Sequence, residues 1–245
     1  MDIFLNNISG QIFIWSVKNK NLIITAFIIT HLLQLGNIVL ASILVAQISS
    51  GNELGILYYD LGGKFGSLAA LSFLVTITPG IAKRFGIHHK IFNIIQTFRR
   101  HIGIMTFLLV LTHYAILRLI PLMTWQSFVI PPIRETLGFV AFVMMFLMFL
   151  TSNDFSTRRF GSWWGRIHKL AYVIVWLVFV HVAFAEIGPI SLLLGIFALA
   201  EWASLIYFWT KKKPFIPTNS GSTQIPPDSS STPNTTPITP TPNQV

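Results

Sequence analysis

Two pairs of histidines, set in two long apolar stretches, are the residues of this chain best suited to chemistry. His113 follows His101 by twelve residues, and His181 follows His168 by thirteen. At a helical rise of 1.5 Å per residue the members of each pair stand about 18 and 20 Å apart. If both stretches run in the same direction, two imidazoles share one depth and two share another. Imidazole is rare inside a bilayer and generally functional where it occurs. One imidazole from each of two helices can bind a haem iron from both faces. Such ligation fills both axial positions and favours electron transfer over ligand binding at the metal, so two stacked haems form a wire. Each histidine also has a plainer role, a hydrogen bond to a neighbouring helix. The spacing itself runs against a simple stack. At 100° per residue neither twelve nor thirteen residues returns to the same helix face, so the sites are offset around the bundle or the helices are distorted.

The elements that hold these residues are membrane spans. The chain has 245 residues, 53% hydrophobic and 10% charged, with a mean hydropathy of +0.66. A soluble domain carries roughly 25% charged residues, and so little charge cannot cover a water-facing surface. Apolar runs at 22–47, 62–81, 101–123, 132–152, 168–186 and 189–210 each approach the ~20 residues that a spanning helix needs. Their breaks carry Pro, Gly or charge, as at Thr78-Pro79-Gly80, Pro131-Pro132 and Gly188-Pro189. The first run is too long for a signal-peptide core of about 7–15 residues.

Lysine and arginine set the orientation, because they accumulate on the cytoplasmic side of short loops. Lys18 and Lys20 precede the first run. Lys83, Arg84, Lys90, Arg99 and Arg100 lie between the second and third. Arg158, Arg159, Arg166 and Lys169 lie between the fourth and fifth, and Lys211, Lys212 and Lys213 follow the sixth. Only Lys64, Arg118 and Arg134 fall on the other side. The expected fold class is therefore all-α integral membrane: a six-transmembrane-helix bundle, both termini cytoplasmic, multi-pass in the inner (plasma) membrane. Residues 1–21 form a short cytoplasmic N-terminal segment and 22–210 the bundle. Residues 211–245, rich in Pro, Thr and Ser, cannot bury enough apolar surface to order themselves, which predicts a disordered cytoplasmic tail. That tail holds no G-x-G-x-x-G site for a nicotinamide or flavin nucleotide.

The net charge of +9 follows this topology, and no nucleic-acid motif accompanies it, so nucleic acid is not an expected partner. The chain has no cysteine, which excludes disulfides, thiolate metal sites, iron–sulfur clusters and covalent haem attachment. Among the remaining candidates, His31 lies within the first run, where packing or a hydrogen bond is its simplest role. His88 and His89 sit in a basic loop and are expected to be solvated. Arg99 and Arg100 can pair with haem propionates at the inner level or act only as topology charges; Arg118 and Lys64 stand similarly at the outer level. Glu201 is a carboxylate inside the sixth span, where it must be protonated, paired or part of a proton path. Trp163, Trp164, Trp202 and Trp209 read as interfacial or packing aromatics. An alternative function, a metal or proton transporter using His31, the paired histidines and Glu201, lacks the broken helices and internal repeats such proteins often show. A membrane scaffold with packed histidines is a third reading.

The stretch 62–181 resembles the ferric reductase-like transmembrane domain, and most of all the haem-binding membrane subunit of the periplasmic methionine sulfoxide reductase system. The matching residues are Gly63-Lys64 opening the second span, Thr78-Pro79 closing it, Arg99-Arg100 with Gly103, and His113-Tyr114. They end with Trp164-x-x-x-His168-x-x-x-Tyr172 and His181. The resemblance implies a six-helix b-type cytochrome with His113, His168 and His181 at haem-ligand positions. His101 departs from the bacterial pattern, which has an apolar residue there, and looks more like NADPH oxidases and eukaryotic ferric reductases with two bis-histidine haems. On that likeness His101 pairs with His168 at the inner level and His113 with His181 at the outer. Arg99 and Arg100 lie beside the inner haem. The cofactor expected is haem b, two per chain, or one if His101 is no ligand. No residue is expected to be catalytic. The chain then serves as the electron-transfer component of a membrane oxidoreductase without its own nicotinamide domain. Electrons arrive from a cytoplasmic-side flavin reductase, whose flavin stays in the partner, or from quinol. They leave to a periplasmic oxidoreductase, ferric iron or oxygen. Membrane lipid is the remaining partner.

Overall fold

The computed structural model describes residues 2–124 and 131–211, and the expected tail beyond 211 lies outside the described residues. In apolar surroundings a backbone must satisfy its own hydrogen bonds, and helices do so within one segment. In chain order the helices are α1 (Asp2–Lys18), α2 (Lys20–Ala46), α3 (Glu53–Arg84), α4 (Lys90–Tyr114) and α5 (Ile120–Thr124). They continue with α6 (Ile133–Leu150), α7 (Asp154–Phe160), α8 (Ser162–His168), α9 (Ala171–Ala183) and α10 (Pro189–Lys211). A π-helical turn, Ala115–Leu119, joins α4 to α5. Six stretches are long and apolar enough to cross a membrane: Lys20–Ala46, Glu53–Arg84, Lys90–Thr124, Ile133–Leu150, Ser162–Ala183 and Pro189–Lys211. No strand occurs among the described residues. The expected all-α, six-span bundle is the observed one.

Helix ends follow side-chain chemistry. The Asn52 side chain accepts from the Gly55 amide at 3.2 Å and starts α3 well before Gly62, where the second span was expected to open. Asn153 accepts from the Ser156 amide at 2.7 Å and starts α7. Pro189 stands at the first position of α10, where its missing N–H costs nothing. The break expected at Thr78-Pro79-Gly80 does not occur, for α3 runs through Pro79 to Arg84. The hydroxyls of Thr76 and Thr78 donate to the carbonyls of Phe73 and Leu74 at 2.6 and 2.7 Å, in the turn that precedes the proline. Membrane helices tolerate proline where neighbouring helices hold the segment, and here Ile77 and Ile81 on either side of Pro79 are packed in the core. Most of the N-terminal segment also folds, as α1, which packs on α4.

The core gathers on α3. Phe73, Leu74 and Ile77 pack against Phe107 and Leu108 of α4, Met145 of α6, Ile174 and Val175 of α9 and Leu194 and Ala198 of α10. Leu33, Val39, Leu192, Ile196 and Leu199 are exposed on the outside of the bundle, an apolar surface suited to lipid rather than water. Polar groups inside are matched across helices: Gln34 donates to the Thr112 hydroxyl at 2.7 Å, and Ser72 and Thr106 share a bond of 2.7 Å. The third span is not uniform, since the π-helical turn begins two residues after His113. The fifth is interrupted too. His168 ends α8, and α9 begins only at Ala171.

Candidate cofactor site

At the end of the bundle remote from the basic clusters, His113 of α4 and His181 of α9 come together. Their ring centroids are 6.4 Å apart and the rings are nearly perpendicular, at 84°. Each ring is aimed by a backbone carbonyl of another helix. His113 Nδ1 bonds the Gly62 carbonyl of α3 at 2.8 Å, and His181 Nδ1 bonds the Arg134 carbonyl of α6 at 2.8 Å. A carbonyl oxygen only accepts, so Nδ1 of each ring carries the proton. The lone pair then resides on Nε2, the atom left for a ligand. Protein metal sites commonly fix a histidine in this way.

Two glycines make the approach possible. A Cβ built on Gly66 falls 2.7 Å from His113 Nδ1, and one on Gly138 falls 2.7 Å from His181 Nδ1. Any side chain at either position displaces the ring. Both histidines line a cavity of about 930 Å³ between α3, α4, α6 and α9. Its walls are apolar, with Ala69, Phe73, Phe142 and Val178, while Lys64, Arg118 and Arg134 stand among its lining residues. Arg118 and Arg134 reach Glu135 at 3.2 and 3.9 Å. This donor set fits a haem iron. Metal–nitrogen bonds of about 2.0–2.1 Å from two opposed imidazoles put the ring centroids roughly 6 Å apart.

At the basic end the histidines part. His101 turns towards α2, where its ring stacks on Phe27 at 5.5 Å and lies 6.0 Å from the His31 ring. His31 Nε2 in turn bonds the His101 carbonyl at 3.0 Å, so His31 has the hydrogen-bonding role its position implied. His101 Nδ1 is buried without a partner. His168 instead lies on Trp164, with centroids 4.1 Å apart, and its Nδ1 bonds the Trp164 carbonyl at 3.1 Å. Among the described residues no ring contact joins His101 to His168. Arg100 is committed to Asp154 at 2.6 Å on the surface, whereas Arg99 is half-buried.

Glu201 is paired. Arg84 of α3 donates to Glu201 at 2.5 Å, to the Ser204 hydroxyl at 2.8 Å and to the Tyr172 hydroxyl at 2.9 Å, tying α3 to α9 and α10. Arg84 had read only as a topology charge. The signal for its role was a lone carboxylate in the sixth span, which needs a cation at the same depth.

The bundle defines a multi-pass membrane protein with two imidazoles brought together at one end, and residues 65–180 match the family described as ferric reductase like transmembrane component. The likeness to that family read from the sequence is thereby shown. Among curated proteins the chain is similar to the haem-binding subunit of protein-methionine-sulfoxide reductase from Rhizobium meliloti (strain 1021). The two are 30% identical over 137 residues, 51% of this chain and 58% of that protein. The subunit of the same name from Brucella anthropi is 30% identical over 32% of this chain and 37% of its own length. That from Agrobacterium fabrum is 28% identical over 39% and 47%. The chain thus spans about half the length of the curated relatives it matches. No solved structure matches it.

Proposed function

We propose that this chain is the haem-binding, electron-transferring subunit of a membrane oxidoreductase, with a b-type haem held between His113 and His181. The observation that carries the reading is the pair of rings 6.4 Å apart, each with Nδ1 bound to a carbonyl, which puts the lone pair on Nε2. The names of the relatives, each a haem-binding subunit, support it. His113 and His181 supply neutral nitrogen donors of fixed tautomer. Gly66 and Gly138 give the rings clearance, and the apolar wall of Phe73, Phe142 and Val178 keeps water away. Lys64, Arg118 and Arg134 bring positive charge for carboxylate groups. Bound there, haem supplies a one-electron couple with both axial positions filled.

The excess of Lys and Arg places the basic end in the cytoplasm. Both termini are then cytoplasmic, and the donor, a flavoprotein or quinol, meets the protein at that end. The acceptor meets it outside, as a periplasmic oxidoreductase, ferric iron or oxygen. The full chain purified from haem-replete cells is expected to show a Soret band that shifts on dithionite reduction, and a pyridine haemochrome of b type. Protein without a Soret band sinks the reading.

A further inference from the structure

The cavity that holds His113 and His181 is lined by charges of both signs, and two of them are tied closely to the histidines. On α6 the Arg134 carbonyl accepts from His181 Nδ1 at 2.8 Å, and Gly138 gives that ring its clearance. Glu135 lies between them in sequence, three residues before Gly138, and residues three apart share a helix face. Its side chain lines the same cavity and is half-buried. On the third span Arg118 follows His113 by five residues. In a regular α-helix that spacing points about 140° away. Here Arg118 stands in the π-helical turn Ala115–Leu119, whose bonds reach one residue further, and it lines the cavity together with His113. Arg118 Nε lies 3.2 Å from Glu135 Oε2, an ion pair that joins the third span to α6. The Arg134 guanidinium stands 3.9 Å from the other carboxylate oxygen.

A site that gains and loses one electron with both axial positions filled changes its charge by one unit and breaks no bond. Fixed charges nearby then set how readily the electron is taken. A carboxylate favours the oxidised form and a guanidinium the reduced one, more strongly in apolar surroundings than in water. We propose that Glu135 and Arg118 set the reduction potential of the His113–His181 site, each offsetting the other's charge. The proposal rests on the reading of His113 and His181 as the ligands of a haem. In this role neither Glu135 nor Arg118 is a ligand of the iron, and both act on it through charge alone.

The test is a spectroelectrochemical titration of the full chain in detergent, with haem content read from the pyridine haemochrome. Glu135→Gln is expected to raise the midpoint potential and Arg118→Gln to lower it. Glu135→Asp keeps the charge and should stay closer to wild type than Glu135→Gln does. Opposite shifts from the two partners are the signature of charge, because loss of a merely structural tie between the third span and α6 moves both the same way. Shifts of one sign, or midpoints equal to wild type in both variants, overturn the proposal. If Arg118→Gln misfolds or loses haem, Glu135→Gln and Glu135→Asp decide, and equal midpoints for those two overturn it. No Soret band in wild type instead retires the His113–His181 reading, and the proposal with it.

Discussion

Both ends of the bundle carry one histidine from the third span and one from the fifth, yet only one end brings them together. At the far end the rings stand 6.4 Å apart, each held by a carbonyl of a helix other than its own. At the basic end His168 bonds a carbonyl one turn back in its own helix, and His101 leans on α2. Depth in the membrane is set by residue count, but facing is set by rotation, and twelve residues change the rotation by about a third of a turn. The difference also lies in what each ring is aimed by. A bond to a neighbouring helix fixes the ring relative to the bundle, and a bond within its own helix does not.

The largest expected effect falls where the comparison is sharpest. His113→Ala and His181→Ala should each abolish haem binding, read as loss of the Soret band per chain. His168→Ala should leave that band in place, because its ring takes no part in the far-end pair. Equal losses from all three substitutions would break the contrast between the two ends.

The next effect concerns what holds the basic end together. Glu201 is 1% exposed and Arg84 largely buried. Removing the cation as Arg84→Met strands a buried carboxylate, a change that costs about 3–5 kcal/mol. Glu201→Gln should cost less, because the amide oxygen can still accept from Arg84, which also keeps Ser204 and Tyr172. Thermal unfolding in detergent, followed by circular dichroism, checks the order of the two midpoints. A milder Arg84→Met than Glu201→Gln would mean that the pair is not the tie between α3 and α10.

Smaller still, Gly138→Ala adds one methyl at 2.7 Å from His181 Nδ1 and must shift the ring off the Arg134 carbonyl. Overpacking of this kind costs roughly 1–3 kcal/mol. Haem should leave this variant several-fold faster, measured by transfer to apomyoglobin. Gly103→Ala is the control, since its Cβ meets nothing within 4 Å.

These contrasts show what was legible in the residues beforehand. The six spans were, because long apolar runs leave the backbone no alternative to helix. The pair His113 and His181 was, through matched depth and type. The expected pairing of His101 with His168 has no counterpart in the ring contacts, although the spacing of twelve already announced the mismatch of face. Phe27 and His31 are about seventy residues away in sequence, and no local pattern points His101 at them. Pro79 misled for a different reason: proline commonly ends helices in water, but inside a bundle the packing of Ile77 and Ile81 around it holds α3 through to Arg84. The same limit hid Arg84, whose partner comes from the sixth span, more than a hundred residues on.

The smallest effect belongs to an exposed carboxylate of the basic end, Asp154. The Arg100 guanidinium, hydrogen-bonded at 2.6 Å, holds Asp154 below the usual carboxylate range. A lowered folded-state pKa contributes stability above the ordinary value, and that contribution disappears as pH falls through the folded one. Both partners are exposed, so solvent and salt screen the pair almost completely. Asp154→Asn should therefore melt like wild type at neutral pH in ordinary salt. At low ionic strength wild type should lose a slight advantage over Asp154→Asn only as the medium becomes more acidic than the usual carboxylate range. A clear destabilisation at neutral pH and high salt would show that Arg100 and Asp154 tie α4 to α7, and that the basic end is held by more than the buried Arg84–Glu201 pair.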